Sequence, residues 1–291
     1  MRYDAHDALT APARPSAHPL RLGAGVVLVV LFYLPMAFAY AGVAPALLGY
    51  DAPAALIGGR TPLAVLILLF EFTFLIVALG MVLRLMHQRG LASLIGPAGT
   101  AARQFLRCTR YLLPLYLLLT VMPMPPEYQL SANLSPGTWV LWLPLALACV
   151  LIQCGAEEMV FRGYLQSQLA ARFRSPVIWI GLPSALFGLF HYDPLLAGPN
   201  AWALILWAGL FGVAAADLTA RTGTLGPALA LHFTNNVFAI LVTAPAGNLD
   251  GIALYTFPLA LYEQGLAWYV MPIEILFTLC AWLTARIALR R

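Results

Sequence analysis

The chain has 291 residues, of which 62% belong to the hydrophobic set AVILMFWYC and only 10% are charged, and its mean hydropathy is +0.83. A soluble domain carries about 25% charged residues, so this composition excludes a soluble enzyme, a secreted disulfide scaffold and a disordered chain. All 16 basic residues are arginine. In a membrane protein such arginines mark loop ends, and no nucleic-acid partner is expected.

Eight apolar stretches are predicted to be transmembrane helices, because about 20 helical residues span a hydrocarbon core of about 30 Å. The expected fold is an all-α polytopic membrane bundle, with residues 1–21 as a cytoplasmic N-terminal tail and 22–291 as a single transmembrane domain. The stretches are, in chain order, Leu22–Leu48, Pro62–Leu85, Tyr111–Met124, Thr138–Leu165, Pro176–Tyr192, Trp202–Leu218, Leu225–Thr243 and Leu266–Leu289.

The distribution of arginine predicts the orientation of the bundle. Fifteen of the 16 arginines fall in the two tails and in every second connection, whereas the alternate connections contain only Arg60. Because cytoplasmic loops carry the excess of basic residues, this bias predicts that both termini are cytoplasmic and that the number of spans is even. Residues Gln88–Arg110 are expected to form an interfacial helix between the second and third spans.

The first polar motif lies at the end of the fourth span, where the chain reads Glu-Glu-Met-Val-Phe-Arg over residues 157–162. Ionisable side chains are costly inside a span and therefore indicate function or pairing. Glu158 and Arg162 are four residues apart and are predicted to form an ion pair. Glu157 lies about 100° around the helix and has no local cation, which makes it a candidate general base.

Two further motifs follow on later spans. The fifth span ends in Phe-Gly-Leu-Phe-His, which places His191 at its end, and the seventh contains His-Phe-Thr-Asn-Asn over residues 232–236. His232 and Asn236 share one helical face and offer imidazole and amide donors side by side. The structural alternative for this pair is hydrogen bonding between helices, which is common for buried His and Asn in membranes.

Other intramembrane polar residues are interpreted as structural. Glu71 and Glu274 are lone acids without a nearby basic residue in the sequence. Asp217 and Arg221 are four residues apart at the end of the sixth span and are predicted to form a local ion pair.

The three motifs together have the parts that a hydrolytic site needs: a base for water, an orienting partner and donors to the developing oxyanion. Glu157 with His191 would serve the first two tasks, and His232 with Asn236 the third. The sequence contains no Gly-x-Ser-x-Gly and no His-Glu-x-x-His, which disfavours serine and standard zincin chemistry.

In this order the motifs Glu-Glu-x-x-x-Arg, Phe-x-x-x-His and His-x-x-x-Asn resemble the CPBP (Abi, CAAX-protease-and-bacteriocin-processing) family, which includes Rce1-type CAAX endoproteases. The resemblance lies within a core at about 138–243. It implies an intramembrane endopeptidase of glutamate or metallo type that hydrolyses a peptide bond of a membrane-associated protein or peptide substrate. The implied catalytic residues are Glu157, His191, His232 and Asn236, and Glu158 and Arg162 would support the site or orient the substrate.

A metallo type would use a divalent cation such as Zn²⁺ with Glu157, His191 and His232 as candidate ligands, and the sequence leaves the glutamate and metallo types both open. The expected location is the lipid bilayer of a bacterial inner membrane. Two alternatives stay open: a transporter or proton-coupled channel whose Glu, His and Arg carry protons or substrate, and a catalytically silent member of the family that binds a partner.

One expectation conflicts with this assignment. If the fourth and fifth spans are centred near Ile152 and Ser184, the helical rise places Glu157 and His191 about 18 Å apart in depth. A base and its partner need a separation of about 3 Å, or one bridging water.

Overall fold

The computed structural model describes residues 3–47, 49, 56, 58–122, 129–258 and 266–290. Each predicted span corresponds to a helix within these residues, and the predicted span ends at Leu48 and Met124 lie outside them. The helices are, in chain order, α1 (Asp7–Thr10), α2 (Pro19–Leu47), α3 (Pro62–His87), α4 (Ala92–Ile95), α5 (Ala98–Thr120), α6 (Pro136–Arg172), α7 (Val177–Leu189), α8 (Pro194–Ala197), α9 (Ala201–Thr222), α10 (Gly226–Val242) and α11 (Leu266–Leu289).

The helices form the bundle of an integral membrane protein. Within the described residues, five helices are long and apolar enough to cross a membrane, namely α2, α3, α6, α9 and α11, and α7 and α10 are shorter apolar helices. Large hydrophobic side chains cover the outside of the bundle; Leu141 and Val177 are 76% and 79% exposed. Apolar surface of this extent is expected where a protein contacts lipid. The number of crossings and the orientation stay predictions.

Local sequence signals begin two of the long helices. The Thr61 hydroxyl accepts a hydrogen bond from the Ala64 amide at the start of α3, and the Ser135 hydroxyl accepts one from the Thr138 amide at the start of α6, both at 3.2 Å. Each cap is followed by a proline at the first helical position, where the missing N–H removes no helical hydrogen bond. The helix α6 that carries the first polar motif is therefore fixed at its start.

The predicted interfacial helix Gln88–Arg110 differs from the structure. Gln88 adopts a left-handed backbone conformation, with φ of 53°, directly after α3. The short helix α4 follows, and α5 then runs without a break through Arg110 to Thr120. The arginine-rich segment and the third span are thus one helix, because no residue between them stops helical hydrogen bonding.

Small residues allow α7 and α9 to pack at close range. A Cβ atom added to Gly188 would lie 2.6 Å from the carbonyl oxygen of Ile205, and one added to Gly212 would lie 3.0 Å from the Cβ of Ser184. Glycine at these positions lets the two backbones approach as small residues do at membrane helix interfaces. This contact fixes the end of α7, where Phe187 and His191 lie, against the middle of α9.

A small three-stranded sheet accompanies the helices. Strand β1 (Ser131–Ala132) pairs antiparallel with β3 (Tyr255–Phe257), and β2 (Thr243–Pro245) pairs parallel with β3, so that β3 is central. The sheet joins the connection before α6 to the segment that follows α10. The indole N–H of Trp139 donates to the carbonyl oxygen of Leu241 at 2.7 Å, which ties the start of α6 to the end of α10.

The segment before α2, predicted as part of a tail, is folded. It consists of a 3₁₀ turn (Asp4–His6), α1 and a second 3₁₀ segment (Ala11–Ser16). Leu9 and Ala13 are fully buried, and the ring of Tyr3 contacts Trp179 edge-on with centroids 5.4 Å apart. The segment therefore packs against the end of the bundle where α6 turns into α7.

Candidate active site

The predicted ion pair is present in the middle of α6. Arg162 Nη1 donates to Glu158 Oε1 at 3.1 Å, and the two side chains are 1% and 0% exposed. A π-helical section, Met159–Gln166, begins directly after Glu158. Such sections shift the side chains that follow around the helix axis and are frequent at functional sites.

His232 of α10 lies between the two glutamates. Its Nδ1 is 2.9 Å from Glu158 Oε1 and its Nε2 is 3.6 Å from Glu157 Oε2. Because an ionised carboxylate only accepts hydrogen bonds, a proton on Nδ1 donates to Glu158 and Nε2 is directed toward Glu157. The sequence grouped His232 with Asn236 and did not reveal this contact with Glu158, since helices that are far apart in the chain give no pairing signal.

Gln153 is the residue of the site that sequence reasoning missed. Its Nε2 donates to Glu157 Oε1 at 2.8 Å, and its Oε1 accepts from Asn236 Nδ2 at 2.8 Å. Gln153 lies one helical turn before Glu157 in an otherwise apolar stretch. A buried amide in a membrane span needs partners as a charge does, so its position alone could have identified it.

Phe187 is the hub of an aromatic cluster around the charged residues. Its ring centroid lies 4.7 Å from that of His191 and 5.9 Å from that of His232, and Arg162 Cζ lies 4.3 Å from it. The Phe211 ring of α9 contacts His232 from another side at 5.4 Å. A cation over an aromatic face is attracted by the ring quadrupole, so these rings separate the charges from lipid while still interacting with them.

His191 lies near the glutamates, because the Phe187 ring contacts both His191 and His232 and His232 contacts Glu158. The expected depth separation of about 18 Å is therefore wrong. Helix α6 continues to Arg172, and α7 begins at Val177. Glu157 is 15 residues before Arg172 and His191 is 14 residues after Val177. Because the helices run antiparallel from this turn, both residues reach a similar height. The error came from centring both spans on one midplane, although α6 extends well beyond its apolar part.

The structure orients His191 without pairing it directly to Glu157. His191 Nδ1 lies 2.8 Å from the carbonyl oxygen of Phe187, so Nδ1–H donates to that oxygen and Nε2 is left as an acceptor. Both histidines thus have Nδ1 anchored and Nε2 available. Within the described part of the chain, no hydrogen bond or ion pair joins His191 to Glu157.

The metal ligands expected from the sequence do not come together as a metal site. Glu157, His191 and His232 do not form a group of His, Cys, Asp or Glu that could hold a metal ion, and no such group occurs among the residues that the structure describes. The donor set therefore does not fit a resident metal, and no step below depends on one.

Several polar atoms of this site are buried without a partner. They are Glu157 Oε2, Glu158 Oε2 and Arg162 Nη2. An unsatisfied buried polar atom costs about 1–3 kcal/mol, and native proteins contain few of them. Three such atoms on neighbouring charged side chains indicate capacity to bind water or a polar group of a substrate.

Three of the residues interpreted as structural, Glu71, Asp217 and Arg221, have hydrogen-bond partners. Glu71 Oε1 accepts a hydrogen bond from the Tyr33 hydroxyl at 2.7 Å, between α3 and α2. Arg221 Nε donates to Asp217 Oδ2 at 2.7 Å, as the spacing predicts. Asp217 in addition contacts Tyr3 and Trp282, which lie far from it in the sequence.

Residues 139–238 match the family model "Type II CAAX prenyl endopeptidase Rce1-like". This segment contains Gln153 and every residue predicted for the site. The chain is also 30% identical over 166 residues to the uncharacterized protein YyaK of Bacillus subtilis (strain 168), an alignment that covers 50% of this chain and 54% of that relative. The chain thus matches about half the length of this relative. No solved structure is significantly similar to the chain.

The fold and the cluster of glutamates and histidines define a polytopic helical membrane protein with a polar intramembrane site. The resemblance drawn from the three motifs is confirmed: residues 139–238 of the chain are similar to the Rce1-like family of type II CAAX prenyl endopeptidases.

Proposed function

We propose that the protein is an intramembrane endopeptidase that hydrolyses a peptide bond of a membrane-associated protein or peptide with a water molecule activated by Glu157. The family of the central segment supports this class of activity. The bilayer of a bacterial inner membrane is the proposed location, and a prenylated carboxyl-terminal tail is the proposed substrate class.

The observation that carries the proposal is the state of the Glu157 carboxylate. One oxygen, Oε1, is held by Gln153, whereas Oε2 is buried without a hydrogen bond and lies 3.6 Å from His232 Nε2. A carboxylate that is oriented through one oxygen and free at the other is arranged to accept a proton from water. General-base catalysis of this kind contributes about 10²–10⁴ in rate.

The reaction then follows from the positions of the side chains. Water bound at Glu157 Oε2 gives a proton to the carboxylate while its oxygen attacks the scissile carbonyl carbon, and the His191 Nε2 acceptor orients the water. The carbon–nitrogen bond breaks when the amine leaving group takes the proton back from Glu157. The products are a carboxylic acid and an amine, and Glu157 returns to its starting state.

The developing oxyanion needs hydrogen-bond donors. Such donors bind the negatively charged oxygen of the transition state more strongly than the neutral carbonyl oxygen of the substrate. Asn236 uses one amide N–H for Gln153, and its second N–H is the proposed donor. With a proton on each ring nitrogen, His232 donates through Nδ1 to Glu158 and presents Nε2–H to the oxyanion. Glu158 is itself held by Arg162, so the imidazole has a fixed orientation.

The test is the exchange Glu157→Gln in purified protein, assayed with a fluorescence-quenched peptide that ends in an S-farnesylated CAAX sequence. A comparison of the carboxyl-terminal peptides of membrane proteins from cells with each variant is the second measurement. The amide is nearly isosteric with the carboxylate but accepts no proton, so we expect turnover to fall by at least about 10²-fold, with the melting temperature retained. The matched control is Asp217→Asn, a buried acid-to-amide exchange away from these residues.

Cleavage by the wild type and the control, but not by Glu157→Gln, is the expected result. Normal turnover by Glu157→Gln would overturn the proposal, and so would wild-type protein that cuts neither the probe nor any membrane protein. A transporter would instead move a solute or protons without producing any new peptide ends.

A further inference from the structure

A chain of four hydrogen bonds crosses the bundle and ends at Glu157. The Tyr116 hydroxyl of α5 donates to Asn235 Oδ1 at 3.2 Å, and Asn235 Nδ2 donates to Asn236 Oδ1 at 3.1 Å. Asn236 Nδ2 donates to Gln153 Oε1, and Gln153 Nε2 donates to Glu157 Oε1, both at 2.8 Å. Three amides in series thus connect helices α5, α10 and α6.

The direction of this chain is fixed by its last member. An ionised carboxylate only accepts, so Gln153 must turn its NH₂ group toward Glu157 and its oxygen toward Asn236. Asn236 must then offer NH₂ to Gln153 and oxygen to Asn235, and the same argument orients Asn235 toward the Tyr116 hydroxyl. Reversing any one amide would place two donors or two acceptors against each other. Each bond in such a series polarises the next.

We propose that Gln153 is a positioning residue that aligns the general base with the oxyanion donor through the two ends of one amide. The inference rests on the proposed function and extends it to a residue outside the three recognised motifs. By binding Glu157 Oε1, Gln153 leaves Oε2 for water. By engaging one N–H of Asn236, it directs the other N–H toward the substrate. The distance between the Glu157 carboxylate and the Asn236 amide is therefore set by the rigid planar amide of Gln153.

Packing alone does not account for glutamine at this position. The side chain is 7% exposed on a helix whose neighbouring residues are apolar, and methionine has a similar length and shape without the desolvation cost of an amide. Its oxygen is also within 3.3 Å of the Cys154 thiol, so both ends of the amide are occupied. A buried polar side chain that is hydrogen-bonded at both ends restricts its partners to one geometry.

The experiment is the exchange Gln153→Met, measured with the quenched farnesylated peptide. Because misplacement of reacting groups by about 1 Å costs about 10²-fold, we expect kcat to fall by about 10–100-fold with KM nearly unchanged. The matched control is Gln166→Met on the same helix. Gln166 is fully buried and donates to the Ala216 carbonyl oxygen, so its exchange should leave turnover per folded molecule unchanged.

Two further variants separate positioning from stability. In Gln153→Met/Asn236→Ala, the losses should not multiply, and kcat should stay within about threefold of Asn236→Ala alone, because both changes break the same alignment. In Gln153→Glu, a protonated carboxyl group donates to Glu157 and an ionised one repels it. Turnover of this variant should therefore fall more steeply with rising pH than that of the wild type.

The outcomes distinguish this inference from the proposed function. If Glu157→Gln is inactive while Gln153→Met turns over normally, only the positioning role is overturned. Losses that multiply in the double variant would also overturn it, as would a pH profile of Gln153→Glu equal to that of the wild type. If Glu157→Gln cleaves the peptide normally, the proposed function is overturned, and the positioning role that rests on it is overturned as well. If Gln153→Met does not fold, two other measurements still test the positioning role. One is the pH profile of Gln153→Glu, and the other is the kcat of Tyr116→Phe, which we expect to fall by about twofold to threefold.

Discussion

Two buried clusters of this protein share the same local pattern, an acid followed four residues later by arginine, but differ in how their polar atoms are satisfied. Around Glu158 and Arg162, three polar atoms are buried without a partner. Around Asp217 and Arg221, Oδ1 accepts from the Tyr3 hydroxyl at 2.8 Å, and Oδ2 accepts from Arg221 Nε and from Trp282 Nε1 at 2.7 and 3.0 Å. Both oxygens of Asp217 are thus used.

The difference indicates which cluster serves stability and which serves chemistry. Asp217 joins the N-terminal segment, α9 and α11 through its three donors, and nothing is left over for a substrate. The cluster on α6 keeps unsatisfied polar atoms, which lower the stability of the fold. Native proteins keep few such atoms, and those that remain occur mainly at functional sites. Spacing along the helix is the same in both, so the distinction arises from tertiary contacts.

The largest expected effect comes from breaking the pair on α6. Glu158→Gln leaves Arg162 as a buried cation without a compensating carboxylate, since the remaining acid Glu157 is held by Gln153. Removing one partner of a buried pair costs about 3–5 kcal/mol, so we expect a marked fall in the melting temperature of the purified protein, together with loss of cleavage.

The double exchange Glu158→Gln/Arg162→Met sharpens this test. It removes both charges, so the melting temperature should return most of the way to that of the wild type. Cleavage should stay low, because His232 Nδ1 has lost the carboxylate that orients the ring. Recovery of activity together with stability would show that this cluster is structural, like the one around Asp217.

For Asp217→Asn we expect a smaller effect, which lowers stability but leaves turnover unchanged. The amide cannot accept from Arg221 and Trp282 as a carboxylate does, and we expect a loss of about 1–3 kcal/mol, measured as a lower melting temperature. Turnover per folded molecule should equal that of the wild type, because the hydrogen-bond donors Tyr3, Arg221 and Trp282 to Asp217 are not residues of the candidate site. A change in kcat at unchanged stability would contradict the division into two roles.

The sequence predicted the helices well because their signal is local. A run of apolar residues long enough to cross a bilayer is visible in any window of 20 residues, and α2 and α11 end close to the predicted positions. The extension of α6 to Arg172 was not predicted, since the stretch after Leu165 begins with the polar residues 166–168 and its helicity depends on contacts with α1 and α7. This omission produced the wrong depth for His191.

The site was predicted in its residue types but not in its connections. The three motifs identified both glutamates, both histidines, Arg162 and Asn236, and the ion pair of Glu158 with Arg162 is confirmed because i,i+4 geometry is a property of the helix itself. His232 and Glu158 are 74 residues apart in the chain and lie on different helices, so no rule of local spacing predicts their contact. Gln153 was overlooked because an uncharged residue does not interrupt a hydropathy window.

The folding of the N-terminal segment is a further consequence of tertiary contact. Short polar segments have little intrinsic helix stability, and a tail is therefore the reasonable expectation. Here Leu9 and Ala13 are buried against the bundle, Tyr3 binds Asp217, and His6 packs on Trp179 with ring centroids 5.0 Å apart. The Asp217 cluster thus extends into this segment, whose docking can be tested by pH.

The smallest expected effect concerns His6, which precedes α2 and lies outside the membrane-spanning segments. Burial lowers the pKa of His6 from 6.5 to about 4, against a smaller opposing effect of the Asp7 charge. The docked segment therefore binds fewer protons than the undocked one. Its stabilisation is complete above pH 6.5 and is lost as pH falls toward 4. We expect Trp179 emission, obtained as the difference between wild type and Trp179→Phe, to change over this range.

The variant His6→Gln has no imidazole to protonate, so its Trp179 emission should stay constant between pH 6.5 and 4 if His6 is the titrating group. Cleavage at neutral pH should be unaffected, because the segment contacts Asp217 and Trp179 rather than Glu157 or His232. An emission change of equal size in His6→Gln would mean that another group controls docking, with Asp4 and Asp7 as the nearest acids of the segment. A loss of turnover that follows the emission change would connect the two clusters, which the hydrogen-bond pattern of the structure keeps apart.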